Sequence, residues 1–313
     1  MHQKPKLLID MDIGDDIDDA FALYFALQQG YEIVGITTVY RDTAARARLA
    51  KKLLTEYGGG YETVPVYAGY GDSFAGQPPL SCPTYLCQYT PDLDDARFAP
   101  DGEDPAAAVD FIVDACEKYG KDLTVVGIGP FTNLARVIEK DPTALGKAKK
   151  VVIMGGAYYR QYADWNVMCD VEAAEVLFRC TDNLTCVGAD VTHQLDIGEE
   201  NSRYLLSLQP DDPAAAYVCG LYALWCTRTG KRGVLHDPLA ILYAAEPEVC
   251  RMEKACVSVI TEGIARGVTL NVDGYGKAAF NPACREIRVD RKIKVAADVR
   301  REYVIRRFMD CFS

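Results

Sequence analysis

Residues 7–23 read Leu-Leu-Ile-Asp-Met-Asp-Ile-Gly-Asp-Asp-Ile-Asp-Asp-Ala-Phe-Ala-Leu. A short apolar run comes first, six aspartates follow within ten positions, and an apolar segment with helical spacing comes last. This order predicts a buried strand, an acidic turn and a helix. Together with the β-rich stretch at residues 32–39, it predicts a βαβ unit at the start of the chain.

The acidic turn carries more negative charge than the start of a helix requires. Aspartate is favoured at the N-cap and in the first turn of a helix, which accounts for one or two such residues. Six crowded carboxylates repel one another unless donors or a cation neutralise them, and hard oxygen ligands suit calcium or magnesium. We therefore predict a divalent metal site. The six residues are Asp10, Asp12, Asp15, Asp16, Asp18 and Asp19.

Two known kinds of acidic loop are alternative interpretations of this turn. An EF-hand loop beginning at Asp10 would need glycine and glutamate where the sequence has Asp15 and Phe21. A phosphatase of the haloacid-dehalogenase type also opens with Asp-x-Asp after a strand. A Mg²⁺-dependent phosphohydrolase with Asp10 or Asp12 as nucleophile therefore stays as an alternative hypothesis.

Composition limits the class of protein further. The chain has 313 residues and is 49% hydrophobic, which is enough to bury a full core. We expect one α/β domain over residues 1–313. The formal net charge is −11 and the sequence shows no basic patch, which argues against a nucleic-acid partner.

The sequence also argues against export and membrane insertion. Residues 1–6 lead into an apolar run too short for a signal-peptide core, and no later run approaches a membrane span. None of the 12 cysteines forms a Cys-x-x-Cys pair, and most lie among apolar neighbours. We expect a cytoplasmic protein without a membrane partner, whose cysteines are reduced and buried.

Strands and helices alternate over the first two-thirds of the chain. This alternation predicts a mainly parallel central sheet with helices on both faces, in an open Rossmann-type arrangement. A few extra strands and a terminal helix are expected near the C-terminus. Residues 69–103 carry five prolines and no periodicity, which is typical of a functional loop or lid. The predicted strands are residues 32–39, 64–67, 123–128, 150–154, 184–187, 255–261, 268–272 and 285–289.

Polar clusters follow several of the predicted strands, at residues 12–19, 37–42, 128–133 and 164–166. Ligands of parallel α/β sheets bind beyond the carboxyl ends of the strands. One cleft could therefore collect all four clusters.

The chain has only three histidines, and His236 is followed by Asp237 and Pro238 at the start of an apolar segment. One interpretation is structural, because aspartate can cap a helix and proline fits its first position. The other is functional, because a histidine at the mouth of the sheet could act as an acid beside a metal ligand. His193 is expected to satisfy a hydrogen bond within a loop.

Several motifs, in this order along the chain, resemble those of the inosine-uridine-preferring nucleoside hydrolases. The acidic turn closing on Asp18-Asp19-Ala20, combined with the distant His236-Asp237-Pro238, is the most specific feature. The resemblance covers nearly the whole chain. The other motifs are Ile36-Thr37-Thr38-Val39, Gly129-Pro130-Phe131-Thr132-Asn133, Met154-Gly155-Gly156, Asp164-Trp165-Asn166, Asp190-Val191-Thr192-His193 and Gly263-x-x-Arg266-Gly267-x-Thr269.

The resemblance implies an N-ribohydrolase that uses Ca²⁺ to split the N-glycosidic bond of purine or pyrimidine ribonucleosides, giving ribose and free base. It implies a homodimer or homotetramer that acts in nucleoside salvage. Carboxylates suit this chemistry, since they stabilise an oxocarbenium-like sugar. The implied metal ligands are Asp12, Asp19, Asp237 and the carbonyl of Ile128. The catalytic residues are expected to be Asp12 as base and His236 as leaving-group acid. The implied substrate ligands are Asp18, Asp42, Asp164 and Asn166.

The chain departs from the pattern of this family in three places. Two extra residues precede Asp18 in the acidic turn, so Asp15 or Asp16 could replace an implied ligand. The loop after the third strand lacks the His-Gly motif that is often present there and contains tyrosines instead. The segment at residues 156–164 is shorter than the corresponding segment of the family. A non-catalytic nucleoside- or ribose-binding protein that keeps the cleft therefore stays as a second alternative.

Overall fold

The computed structural model describes residues 4–272 and 291–313. Its strands are β1 (Lys6–Met11), β2 (Glu32–Thr38), β3 (Val66–Ala68), β4 (Leu123–Gly127), β5 (Lys150–Met154), β6 (Leu184–Val187), β7 (Cys250–Ala255), β8 (Val257–Val259), β9 (Thr269–Asn271) and β10 (Ile293–Val299). Eight of them form a central sheet in the order β3-β2-β1-β4-β5-β6-β10-β7. All neighbouring pairs are parallel except β10 and β7, which are antiparallel. The predicted mainly parallel sheet is confirmed.

Helices cover both faces of this sheet. They are α1 (Asp18–Gln28), α2 (Thr43–Tyr57), α3 (Pro105–Tyr119), α4 (Thr132–Lys140), α5 (Ala144–Lys147), α6 (Trp165–Cys169), α7 (Val171–Cys180), α8 (Ala189–Thr192), α9 (Gly198–Ser207), α10 (Pro213–Thr229), α11 (His236–Ala245) and α12 (Arg301–Met309). One hydrophobic cluster joins the sheet to α1, α2, α10, α11 and α12, and a second joins it to α3, α4, α5 and α7. The core is therefore split between the two faces.

The continuous apolar run of β1 is explained by its place inside the sheet, between β2 and β4. Leu7, Ile9 and Met11 belong to the first cluster, whereas Leu8 belongs to the second. A strand in the middle of a parallel sheet is covered on both faces, so its sequence is continuously apolar rather than alternating.

The strands near the C-terminus differ from the predicted ones. β8 and β9 lie within two of the predicted ranges, but they form a separate two-stranded antiparallel sheet. The predicted strand at residues 285–289 lies outside the described residues. The sequence does not predict β7 and β10. These two strands pair with each other, and β10 also pairs with β6, so its partners are distant in the chain. Val295 of β10 pairs with Cys186 on one side and with Glu253 on the other.

Two other features bear on the predictions. Asp170 caps α7 through a hydrogen bond from the Ala173 N–H at 3.1 Å, and this cap separates α7 from the short helix α6 before it. Residues 69–103 form neither a strand nor an α-helix, as predicted. Across residues 4–272 and 291–313, helices long and apolar enough to cross a bilayer are absent, and no disulfide joins the cysteines.

The strand order reverses direction at β1. The chain passes from β1 to β2 on one side, whereas β4 and its successors continue on the other side. Open α/β sheets bind ligands at the carboxyl ends of the strands that flank such a switch point. In this chain those ends carry Asp12 after β1 and Ile128 after β4.

Candidate active site

The acidic turn, residues 12–17, connects β1 to α1 at the switch point. Gly14 has a φ of +125°, and a Cβ atom there would lie 2.9 Å from Cδ1 of Leu49, so the turn requires glycine at this position. α1 begins at Asp18 and has no side-chain cap at Ile17. Asp18 and Asp19 occupy its first turn, where free N–H groups and the helix dipole stabilise negative charge.

Arg46 of α2 is the cation that holds the acidic turn in place. Its side chain is fully buried, and Nη2 lies 2.9 Å from Oδ2 of Asp15. Nη1 donates to the carbonyl of Asp12, and Nε donates to the carbonyl of Tyr40 at 2.8 Å. Asp15 also accepts from the backbone N–H of Leu86 at 2.7 Å. Both oxygens of Asp15 are therefore occupied by donors of the protein itself, which stabilise the turn.

Asp18, Asp19 and Asp237 form a compact group of carboxylates. One oxygen from each lies within 4.8 Å of the others, and all three residues are buried. Burial, together with the charges of neighbouring carboxylates, raises the pKa of each well above its ordinary value. A divalent cation would neutralise this buried charge, and carboxylate oxygens are suitable ligands for it, so the group could hold a metal ion. Asp18, implied above as a substrate ligand, thus lies with the metal-binding candidates.

Asp12 and the carbonyl of Ile128 lie beside this group. The backbone N–H of Asp12 donates to Oδ1 of Asp19 at 3.2 Å, and burial raises the pKa of the Asp12 carboxyl to about 7, although Arg46 opposes the shift. The Ile128 carbonyl accepts from Nδ2 of Asn166 at 2.8 Å. Because a carbonyl oxygen has two lone pairs, it can accept this bond and still face a cation.

Asp164 and Asn166 line the same cleft as this group. Oδ1 of Asp164 accepts from the backbone N–H of Asn166 at 3.1 Å, so Asp164 caps α6, and burial raises the pKa of its carboxyl to about 6. The Asn166 amide donates to the carbonyls of Ile128 and Met154, at 2.8 and 3.2 Å. These two bonds fix the orientation of the amide and leave its oxygen as an acceptor.

The candidate metal ligands, together with Asp164 and Asn166, line one cleft with a volume of about 350 Å³. It contains every implied site residue except Asp42. The lining residues are Asp12, Asp15, Asp16, Asp18, Asp19, Cys82, Pro83, Thr84, Ile128, Met154, Tyr162, Asp164, Trp165, Asn166, Ala189, His193, His236 and Asp237.

Two other aspartates of the sequence analysis have structural positions outside the cleft. Asp42 is exposed and caps α2, accepting the N–H of Ala45 at 3.0 Å, so its implied contact with substrate is not supported by its position. Asp10 is buried and accepts from Thr37 at 2.6 Å and from Asn133 at 2.7 Å. These bonds hold the end of β1 against β2 and α4.

His236 is the first residue of α11. The residue before it, Leu235, occupies the N-cap position without a side-chain cap, so the prediction that Asp237 caps this helix is wrong. Nδ1 of His236 lies 2.6 Å from Oγ1 of Thr192. Burial lowers the pKa of His236 to about 3, so its imidazole is neutral at pH 7 and is not the cation that an imidazolium donor would require.

His193 also lines the cleft, although only a hydrogen bond within a loop is expected from the sequence. The ring centroids of His193 and His236 lie 5.2 Å apart in an edge-to-face arrangement. Nδ1 of His193 lies 3.1 Å from the hydroxyl of Tyr162. His193 directly follows α8, which starts just beyond the carboxyl end of β6, so the strand-end rule could have placed it in the cleft.

The proline-rich loop at residues 69–103 contributes one edge of the cleft. Cys82, Pro83 and Thr84 line it, whereas Tyr85 and Tyr89 do not. The predicted functional loop thus reaches the site through its small residues and not through its tyrosines.

Comparison with known proteins shows which family the chain belongs to. The sequence profile of the family described as inosine-uridine preferring nucleoside hydrolase matches residues 7–306. The chain is 31% identical over 280 residues to uridine nucleosidase 1 of Arabidopsis thaliana. The aligned region covers 86% of this chain and 82% of that protein. The fold is similar to that of a plant nucleoside hydrolase, with a TM-score of 0.82 and 26% identity over 99% of both chains. It is also similar to a purine-preferring ribonucleoside hydrolase from Gardnerella vaginalis, with a TM-score of 0.76 and 27% identity over 98% of this chain and 97% of the other.

The chain belongs to the inosine-uridine preferring nucleoside hydrolase family. It is an enzyme that hydrolyses the N-glycosidic bond of ribonucleosides. The resemblance and the enzyme class inferred from the sequence are thereby confirmed, and the phosphohydrolase and the non-catalytic binding protein are disfavoured.

Replacing Arg46 by methionine should destabilise the fold strongly. The change leaves the Asp15 carboxylate buried without its partner, and removing one partner of a buried ion pair costs about 3–5 kcal/mol. Urea denaturation should report this loss in the free energy of unfolding. Arg48→Met is the matched control, because Arg48 lies on the same helix but is only partly buried and contacts just the carbonyls of Leu93 and Asp95.

The Arg48 variant should lose far less, about 1–2 kcal/mol. The double variant Asp15→Asn with Arg46→Met should lose less than the sum of the two single variants, because the two changes remove one interaction. Equal losses for Arg46→Met and Arg48→Met, or strict additivity in the double variant, would contradict the assigned role of Arg46.

Proposed function

We propose that this enzyme is a calcium-dependent nucleoside hydrolase that converts a purine or pyrimidine ribonucleoside and water into ribose and free base. The observation that carries the proposal is the buried group of Asp18, Asp19 and Asp237, with oxygens within 4.8 Å of one another. Calcium accepts six to eight oxygen ligands in flexible geometry, and carboxylates and a backbone carbonyl are among the ligands it takes. When bound, the metal would lower the pKa of a water molecule and fix the vicinal hydroxyls of the ribose.

The metal ligands are proposed to be Asp19 and Asp237, with Asp12 and the carbonyl of Ile128. Asp18, the third member of the buried carboxylate group, is proposed to bind a ribose hydroxyl beside the metal. Asp164 and the free oxygen of the Asn166 amide are placed to accept further hydroxyl hydrogens. Acceptors on several sides of the sugar would hold it while positive charge develops on the ring in the transition state.

Asp12 is proposed as the general base. It follows β1 directly at the switch point, and its side chain lines the cleft beside Asp19. Its main chain is tied to Arg46 and Asp19, so the carboxylate is held by rigid elements on both sides. Such positioning is what a base needs in order to take a proton from the attacking water.

His236 is proposed to act on the leaving base. Cleavage of the N-glycosidic bond leaves negative charge on the base, and a neutral imidazole can stabilise that charge by donating a hydrogen bond from a ring N–H. In this role His236 donates a hydrogen bond as a neutral imidazole, whereas the sequence predicts a leaving-group acid.

A phosphohydrolase remains the poorer explanation of the site. Asp10, one of the two possible nucleophiles, lies outside the cleft, and none of the described residues that line the cleft is lysine or arginine. Carboxylates without a cationic side chain would repel a phosphate group.

Other features of the proposal stay as predictions. They are the single domain over residues 1–313, the homodimer or homotetramer, the cytoplasmic location and the role in nucleoside salvage. The relatives named above are a uridine nucleosidase and a purine-preferring hydrolase, so uridine and inosine are both suitable test substrates.

Asp12→Asn should lower hydrolysis by roughly 10²–10⁴-fold, because an amide oxygen can bind a metal but does not take a proton from water. Steady-state rates on uridine and inosine, with metal content measured on the same samples, provide the test. The control is Asp42→Asn, since asparagine also caps helices well and Asp42 lies outside the cleft. Wild-type activity in Asp12→Asn with metal retained would remove Asp12 from the base role, and a raised KM in Asp42→Asn would restore the implied substrate contact of Asp42.

His236→Ala and Asp237→Ala should fail differently. Loss of a leaving-group donor should slow uridine and inosine by roughly 10²–10³-fold but hardly affect p-nitrophenyl riboside, whose phenolate leaves without help. Loss of a metal ligand should slow all three substrates. If His236→Ala slows p-nitrophenyl riboside as much as the nucleosides, His236 does not act on the leaving group.

A further inference from the structure

The hydroxyl of Thr192 lies behind His236 in the wall of the cleft. Thr192 is fully buried at the end of α8, and its Oγ1 lies 2.6 Å from Nδ1 of His236. Within residues 4–272 and 291–313, this hydroxyl is the one hydrogen-bond partner of the His236 ring. The two residues are 44 positions apart in the chain and meet only through the fold.

The direction of this hydrogen bond follows from the needs of the two groups. A buried hydroxyl that finds no acceptor for its hydrogen destabilises the folded state. In the described part of the chain, Nδ1 of His236 is the acceptor available to the Thr192 hydroxyl. If the hydroxyl donates to Nδ1, both groups are satisfied, whereas a bond from Nδ1–H to Oγ1 would leave the hydroxyl hydrogen without an acceptor.

A donating hydroxyl has a definite consequence for the imidazole. A neutral histidine carries one ring hydrogen, so an Nδ1 that accepts a hydrogen bond requires that hydrogen on Nε2. His236 lines the cleft and Thr192 does not. Because Nδ1 is held against the Thr192 hydroxyl, we infer that the Nε2 edge of the ring faces the space where substrate binds.

We propose that Thr192 is a positioning residue, which holds His236 in the tautomer with its hydrogen on Nε2 and directs that N–H at the leaving base. The inference rests on the proposed role of His236. In the other tautomer, an Nε2 lone pair would face a base that is gaining negative charge, which would oppose cleavage. The hydroxyl thus acts at one remove from the substrate, as groups that orient catalytic or metal-binding histidines do.

Histidine ¹⁵N NMR tests the tautomer directly in the intact wild-type enzyme. Only three histidines occur in the chain, so the ring signals can be assigned with His193→Phe and His236→Ala. We expect correlations that show an unprotonated Nδ1 and a protonated Nε2 in His236. A hydrogen on Nδ1 in the wild-type enzyme would overturn the proposal.

Steady-state kinetics test the consequence for catalysis. Thr192→Val removes the hydroxyl at nearly constant volume and should lower kcat on uridine roughly 10- to 100-fold, with KM and the rate on p-nitrophenyl riboside within about twofold of wild type. Thr192→Ser keeps the hydroxyl and should restore most of the uridine rate. Thr181→Val is the matched control, because Thr181 is also buried but its hydroxyl has no hydrogen-bond partner and lies away from the cleft. It should leave all rates unchanged.

The outcomes separate this inference from the proposed function. If His236→Ala slows both substrates equally, the role of His236 is wrong whatever Thr192 does. If His236→Ala slows only the nucleoside, but Thr192→Val slows both substrates equally or Thr192→Ser fails to restore the rate, Thr192 is merely structural and the inference fails. Should Thr192→Val not fold, the serine variant and the wild-type tautomer still decide the question.

Discussion

The buried guanidinium of Arg46 determines how six aspartates can occupy one short turn. It neutralises Asp15 and binds the main chain of Asp12, so the turn closes around a cation supplied by α2. It also donates to the carbonyl of Tyr40, a residue with a φ of +71° at the turn after β2. Strained backbone of this kind persists only where surrounding contacts fix it. One side chain therefore shapes the carboxyl ends of two adjacent strands.

This arrangement divides the acidic residues by function. Asp10 and Asp15 are satisfied by protein donors and serve the fold. In the described part of the chain, Asp18, Asp19 and Asp237 form no ion pair with a basic side chain, so we expect their charge to be available to a metal ion. The two extra residues of the turn, which left the ligand set open in the sequence, are thus accommodated by the ion pair with Arg46 and leave Asp18 and Asp19 in the cleft.

Much of this could be predicted from the sequence, because strand ends in a parallel sheet converge. Several site residues come after the end of a strand, either directly or after a loop: Asp12, Ile128, Asp164 and Asn166. The pair His236-Asp237 lines the same cleft. The role of Arg46 was missed, although a signal exists: it shares a helix face with Leu49 and Leu53, where a charged residue is out of place unless it is paired. The capping bond of Asp42 is visible only in the structure, because an aspartate before a helix can be either a cap or a ligand. β10 was missed because its partners lie far away in sequence.

We propose that the carboxylates at the switch point hold a calcium ion. A crystal structure of the enzyme grown with Ca²⁺ and a ribose analogue would show the ligands and distances of any ion in the cleft. We expect an ion bound by Asp12, Asp19, Asp237 and the Ile128 carbonyl, with about six to eight oxygens at roughly 2.3–2.6 Å. A cleft that binds the analogue without an ion, or an ion held by Asp15 and Asp16 instead, would contradict it.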